Sequence, residues 1–287
     1  MPNSYVSRRS TEAQAFSSWS PPAGTLGLLT DEARARAATL RSRAGELEVA
    51  ASKAVSPPSF GDALKRENIA IIAEVKRSSP SKGAINPDLD LTQQVEAYAK
   101  GGAAAISILT EPTRFGGSNE DLTRARASVR LPLLKKDFHV DPVQILEAKA
   151  LGASAALVIV RALAPQVLED LMRVAERIRL ELLVEVRNEQ ELALALSLGA
   201  TLIGINNRNL ETLEIDPETS LRLLPLVPRN VIAIAESGIK AAADVERVGD
   251  AGADAVLVGS ELSGSPRPEA AVRSLTGIRR GGGARKG

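Results

Sequence analysis

LGASAALVIV, residues 151–160, closes one pattern and opens another. A glycine ends a helical stretch, and an unbroken apolar run follows at once. Glycine suits that boundary because it takes the left-handed C-cap conformation at little cost. The same transition recurs in GGAAAISIL (101–109), LGATLIGIN (198–206) and AGADAVLVGS (251–260), at a spacing of roughly 50 residues. Four further apolar runs lie between them: IAIIAEVK (69–76), LPLLKK (131–136), LLVEV (182–186) and VIAIAES (231–237). Runs of this kind, without polar alternation, read as strands of a parallel sheet covered on its outer face. The stretches between them, such as VLEDLMRV (167–174) and ELALALSL (191–198), carry helical periodicity. Eight such units in about 190 residues predict the α/β class and a single (β/α)8 TIM barrel. A doubly wound open sheet is the alternative. It usually needs fewer strands, and no G-x-G-x-x-G follows the first run.

An additional N-terminal helix, roughly Thr30 to Lys53, is expected before the barrel, with SPPS (56–59) separating the two. Residues 1–28, rich in Ser and small residues and broken by SWSPP (18–22), are expected to form a disordered extension. The catalytic domain then spans 29–280, and GGGARKG (281–287) reads as a flexible tail.

Composition narrows the chemistry. Aromatics are 2% of the chain against 44% hydrophobic residues overall, so the core must be aliphatic. Lys plus Arg is 36 and Asp plus Glu is 35, a net charge of +1 that offers no general attraction for nucleic acid or a membrane surface. No apolar run approaches the roughly 18–20 residues that span a bilayer, and no secretory h-region follows Arg8 and Arg9. The absence of cysteine excludes disulfides, Cys-ligated zinc and thiol nucleophiles, and is compatible with a reducing, cytoplasmic setting. A single histidine, His139, excludes multi-His metal sites and leaves a Ser-His-Asp triad without a nucleophile elbow. Acid–base work must fall to Lys and Glu.

Active sites of such barrels gather at the C-terminal ends of the strands. Here those ends carry Glu74 and Lys76, Thr110 and Glu111, Lys135 and Lys136, Arg161, Glu185, the run Asn206 to Arg208, Glu236 and Ser237, and Gly259 and Ser260. Glu74 and Lys76 are two apart and share a face. With Lys136, Glu185 and Glu236 they lie on odd-numbered strands, whose inward side chains share a layer, so opposite charges should converge at one mouth. A carboxylate embedded in a strand is costly to bury alone, and a nearby cation offsets that cost. Ser237 with Gly238, and Gly259 with Ser260, place small residues where the seventh and eighth strands end, a frequent phosphate-binding position. Alternation along the third strand sets Lys135 and Lys136 on opposite sides.

At this point several motifs, in order and at compatible spacing, resemble one family. AEVKRSSPSKG (73–83), LTEPTRFGGS (109–118), LLKKDFHVDP (133–142), LVEV (183–186), GINNRNL (204–210) and AESGI (235–239) are similar to indole-3-glycerol-phosphate synthase, over about residues 30–280. The resemblance implies ring closure of 1-(2-carboxyphenylamino)-1-deoxyribulose 5-phosphate, with loss of carbon dioxide and water, in tryptophan biosynthesis. It implies no metal and no organic cofactor. It places Lys136 inward as general acid on the ribulose carbonyl and Glu185 as the second acid–base residue, with Glu74 and Lys76 as a charged pair beside the substrate. Asn206 and Glu236 would orient the intermediate. Arg208 and Ser79 fall in matching motifs. Pro80, Phe115, Phe138 and Leu157 would wall the anthranilate ring, and Ser237, Gly238, Gly259 and Ser260 would cradle the phosphate.

With Lys136 inward, Lys135 should lie among the helices, its ammonium reaching solvent along an apolar stem. Asn209 stands where the family commonly has Asp. The expected partner is a small phosphorylated molecule, with the chain a monomer or weak homodimer that could associate with other enzymes of the pathway. Two other readings stand beside this one. A phosphosugar barrel such as phosphoribosylanthranilate isomerase would want a cysteine. A catalytically silent barrel would have lost Lys136 or Glu185.

Overall fold

Eight parallel strands close on themselves in chain order: β1 (Ala70–Val75), β2 (Ala105–Leu109), β3 (Leu133–Lys136), β4 (Ala155–Ile159), β5 (Glu181–Val186), β6 (Leu202–Asn206), β7 (Ile232–Glu236) and β8 (Ala255–Val258). They are the eight apolar runs of the sequence. The computed structural model describes residues 19–281 and Arg285. Strand β8 pairs in parallel with β1, Ala70 opposite Ala255, which shuts the barrel and leaves no sheet edge. The strands are buried almost throughout, as runs without polar alternation require.

Three helices precede the barrel: α1 (Gly24–Leu40), α2 (Ala44–Lys53) and α3 (Phe60–Leu64). The crossovers and C-terminal segment supply α4 (Leu91–Gly101), α5 (Asn119–Ser128), α6 (Pro142–Ala150), α7 (Pro165–Ile178), α8 (Glu189–Ser197), α9 (Glu218–Leu223), α10 (Ala242–Asp250), α11 (Ser260–Ser263) and α12 (Pro268–Arg273). The glycine of the opening motif, Gly152, has φ 85° just past α6, and Gly199 has φ 86° past α8. The repeat is thus a repeated helix stop. Among the described residues no helix is long and apolar enough to cross a membrane.

The leading helix differs from the expectation at both its start and its middle. It begins at Gly24, six residues before Thr30, and a 3-10 turn at Arg41–Arg43 splits it in two. Leu26, Leu29, Ala33 and Ala37 are all buried at helical spacing. At the N-terminus, Ala23 N–H donates to Glu211 Oε1 at 2.7 Å and Thr25 N–H to the Glu211 carbonyl at 3.2 Å. The break redirects the chain so that Leu47 and Ala51 of α2 pack on Val143 and Leu146 of α6. The boundary at residue 28 therefore falls inside a packed helix. Residues 1–18 of the expected extension lie outside the described residues.

The expected flexible tail also differs where it is described. Arg285 is 8% exposed, donates to the carbonyls of Gly252 and Val231 at 2.6 and 2.8 Å, and pairs with Asp254 at 2.5 Å. It answers carbonyls and a carboxylate at the N-terminal end of the barrel. Nearby, the Phe60 and Gly61 amides at the start of α3 donate to the Glu181 carboxylate at 2.9 and 2.6 Å.

Candidate active site

Glu74, Lys136, Glu185 and Glu236 sit at or one residue before the ends of β1, β3, β5 and β7. All four turn into the barrel mouth. Lys136 Nζ lies 2.7 Å from Glu236, 3.7 Å from Glu185 and 4.0 Å from Glu74. Lys76, just past β1, makes a direct ion pair with the other Glu74 oxygen. Two glycines clear the space. A Cβ on Gly204 of β6 would strike the Glu236 carboxylate, and one on Gly259 would strike Glu74 and lie 3.0 Å from Lys76 Nζ. The Ser263 hydroxyl of α11 donates to the Glu74 carbonyl at 2.8 Å and accepts from the Lys76 N–H at 3.0 Å, fastening the end of β1.

Three carboxylates thus face two ammonium groups. Burial alone would depress the Lys136 pKa, but Glu236, Glu185 and Glu74 outweigh it and hold the group above the ordinary lysine value. Lys136 is a firmly held cation. The surplus negative charge is relieved at Glu185. Burial and the neighbouring Glu236 push its carboxyl up to about 7, against the opposing pull of Lys136 and Asn206. Asn206, at the end of β6, donates from Nδ2 to Glu185 at 2.9 Å and accepts the Arg208 backbone N–H at 2.9 Å. The Arg208 guanidinium donates to the Leu213 carbonyl at 2.7 Å and ties down the loop after β6.

These groups open into a cavity of about 230 Å³ that every one of the site residues expected from sequence helps to line. Phe115 and Phe138, their ring centroids 6.2 Å apart at 39°, line it together with Leu157, Pro80 and Ser79. Ser237, Gly238, Gly259 and Ser260 line it as well. Ser237 and Gly238 are both left-handed, at φ 64° and 83°. A left-handed serine is uncommon, and such outliers cluster at functional sites.

Sequence reading missed several lining residues. Thr25 and Leu29 come from α1. Their signal was the helical spacing that continues back from Ala33 to Leu29 and Leu26. Lys82 and Lys240 stand at the cavity from loops whose sequence carries no periodicity.

Lys135 lies on the opposite side, as alternation requires, but its ammonium does not reach solvent. It is 1% exposed and sits 3.5 Å from Asp137 and 3.4 Å from Glu147 of α6. Two counter-charges meet it before water does. Burial disfavours the Asp137 anion, yet Lys135 and Arg36, with a hydrogen bond from Thr110, hold its carboxyl well below the usual range. Neighbouring His139 donates from Nδ1 to the Leu157 carbonyl at 2.6 Å, while Nε2 is buried with no partner. Burial, then the Lys135 charge, lowers its pKa to about 3.

This sets a sign for pH dependence. The folded protein keeps His139 neutral while the unfolded chain takes up a proton below about 6.5. Stability from this group is complete above that pH and drains away as pH falls toward 3, by about 1.4 kcal/mol per unit. His139→Asn keeps a donor for Leu157 and removes the titration. In chemical denaturation between pH 6.5 and 4.5, the stability gap between wild type and variant should therefore shrink as pH falls. A gap independent of pH would refute the assignment.

Comparison with known proteins identifies the family. Residues 28–275 match the family model described as indole-3-glycerol phosphate synthase. The chain is 48% identical over 230 residues to the indole-3-glycerol phosphate synthase of Mycolicibacterium gilvum (strain PYR-GCK), covering 80% of this chain and 85% of that protein. It is 45% identical over 256 residues to that of Mycobacterium ulcerans (strain Agy99), covering 88% and 94%. Among solved structures it is similar to 3-hexulose-6-phosphate synthase from Salmonella typhimurium, at TM-score 0.58 and 15% identity over 72% of this chain and 96% of that one. It is also similar to thiamine phosphate pyrophosphorylase from Pyrococcus furiosus, at TM-score 0.55 and 16% identity over 73% and 94%. Those two likenesses concern the fold alone. The family match runs through all eight strands and through every cavity residue from Glu74 to Ser260, and so the chain belongs to the indole-3-glycerol phosphate synthase family.

Proposed function

We propose that the cavity closes the indole ring of 1-(2-carboxyphenylamino)-1-deoxyribulose 5-phosphate, releasing carbon dioxide and water, a carbon–carbon lyase reaction of tryptophan biosynthesis. The observation that carries the reading is one cation, Lys136, held among Glu236, Glu185 and Glu74 at the barrel mouth. The aromatic ring would lie against Phe115, Phe138, Pro80 and Leu157. The phosphate would meet the amides and hydroxyls of Ser237, Gly238, Gly259 and Ser260, the small residues that line the cavity where the seventh and eighth strands end.

Lys136 then donates a proton to the ribulose carbonyl as an anthranilate ring carbon attacks it. Loss of the ring carboxylate as carbon dioxide returns its electron pair to the ring. Departure of the new hydroxyl as water, with a proton from Glu185, and loss of a proton from the adjacent methylene carbon to the Lys136 amine complete the pyrrole. Charge balance requires one proton per turnover, because a carboxylate leaves as a neutral gas. A lysine held protonated and a glutamate poised near neutrality suit those two transfers. Asn206 keeps Glu185 in place, and Lys76 neutralises Glu74. A phosphorylated, membrane-impermeant substrate supports a cytoplasmic reaction.

The test is turnover of the purified protein with this substrate, followed by indole fluorescence. The kcat profile should fall as pH rises through an ionisation near 7, because the protonated Glu185 is the one needed. Glu185→Gln should lose that limb. Retention of the limb in the variant would assign the ionisation elsewhere.

A further inference from the structure

Two buried carboxylates, Glu111 and Asp137, hold the aromatic wall, and Asp137 also lines the cavity. Glu111, fully buried after β2, accepts the backbone N–H groups of Thr113, Arg114 and Phe115 at 2.9, 2.7 and 3.0 Å. It thereby shapes the loop that presents the Phe115 ring. Asp137, after β3, accepts the Thr110 hydroxyl at 2.7 Å and the Phe138 N–H at 2.8 Å, fixing the second ring. Between the two carboxylates lies a guanidinium from outside the barrel. Arg36 of α1 reaches Asp137 at 2.8 Å with one nitrogen and Glu111 at 3.6 Å with the other. Asp137 has Lys135 as a second cation, but among the described residues Arg36 is the one ion-pair partner of Glu111. Without it the buried carboxylate keeps its three backbone N–H bonds but loses its ion-pair partner, a costly change that the loop relieves by moving.

We propose that Arg36 is a positioning residue: from the leading helix it bridges Glu111 and Asp137, and so sets the spacing of Phe115 and Phe138 that receives the aromatic ring of the substrate. This rests on the reading that the two phenylalanines form that wall. A planar guanidinium places two separated nitrogens across the span, one toward each carboxylate, a fork that the single nitrogen of an ammonium does not reproduce. The wall binds the ring in ground and transition states alike, so its loosening should raise KM and spare kcat.

The test compares Arg36→Gln, Phe115→Leu and the double variant by kcat, KM and melting temperature, using the aminodeoxyribulose phosphate itself. Phe115→Leu should raise KM several-fold. Arg36→Gln should raise KM about tenfold, with kcat within about threefold of wild type. In the Phe115→Leu background the same change should add less than threefold, because the ring it positions is gone. A wild-type KM in folded Arg36→Gln, or full additivity in the double variant, overturns the clamp. Failure of Phe115→Leu to raise KM overturns the wall reading and the clamp with it, while turnover still tests the reaction separately. If Arg36→Gln does not fold, Arg36→Lys takes its place. Its KM should rise at least threefold, and a wild-type value overturns the proposal.

Discussion

Lys136→Ala should fold and melt much as wild type does, yet turn over at least about a hundredfold more slowly, roughly 2.7 kcal/mol of barrier. The fold tolerates the loss because the site can correct its own charge. Removing the ammonium leaves Glu236, Glu185 and Glu74 facing a gap, and their repulsion draws in a proton. Glu185, already near 7, is the group ready to take it. The chemistry has no such remedy. A protonated carboxyl in the layer is not at the place from which Lys136 Nζ reaches the carbonyl. Single-turnover measurement with saturating substrate separates the proton-transfer step from product release. Turnover within tenfold of wild type would remove Lys136 from the role of general acid.

The adjacent residue should behave in the opposite way. Lys135→Met keeps the stem and deletes a buried charge. Glu147 and Asp137 then lose their shared ammonium, although Asp137 retains Arg36 and Thr110. Breaking a buried pair costs about 3–5 kcal/mol, and the low end applies because of that retained partner. For a domain of this size the melting temperature should fall by roughly 6–12 °C. Turnover of the folded fraction should stay within about threefold, since Lys135 Nζ sits on the helix side of the strand. If Lys135→Met is the silent enzyme and Lys136→Ala the unstable one, the inward and outward assignments of β3 are reversed.

The pair also shows what sequence could and could not reveal. Alternation separates Lys135 from Lys136 on the page, because strand geometry is local and has a period of two. The fate of the Lys135 ammonium depends on Glu147, which reaches it from the next helix, and no local pattern announces that meeting. The eight strands were legible because continuous apolar runs, four of them following helix-stopping glycines, have few other physical readings when helical stretches alternate with them. The charged layer was legible because strands on alternate sides of a barrel repeat the same inward register. The start of α1 was not. Pro21, Pro22, Gly24 and Gly27 all signal breakage, and the helix forms there because Ala23 and Thr25 are held by Glu211, 188 residues from Ala23. Leu29 and Thr25 were lost from the expected site by that same misplacement.

The straps on α1 also fix an order of assembly. Its partners Glu111, Asp137 and Glu211 all follow it by tens to nearly two hundred residues. Loop closure over such separations is entropically costly and is repaid only when both ends exist. The helix, which precedes the strands in the chain, therefore has no docking surface until β2, β3 and the loop after β6 are in place. The barrel can close its ring of strands while its catalytic end still lacks Leu29, Thr25 and the Arg36 bridge. A segment made before the barrel docks after it, and the active site is finished by a helix that no strand of the barrel supplies.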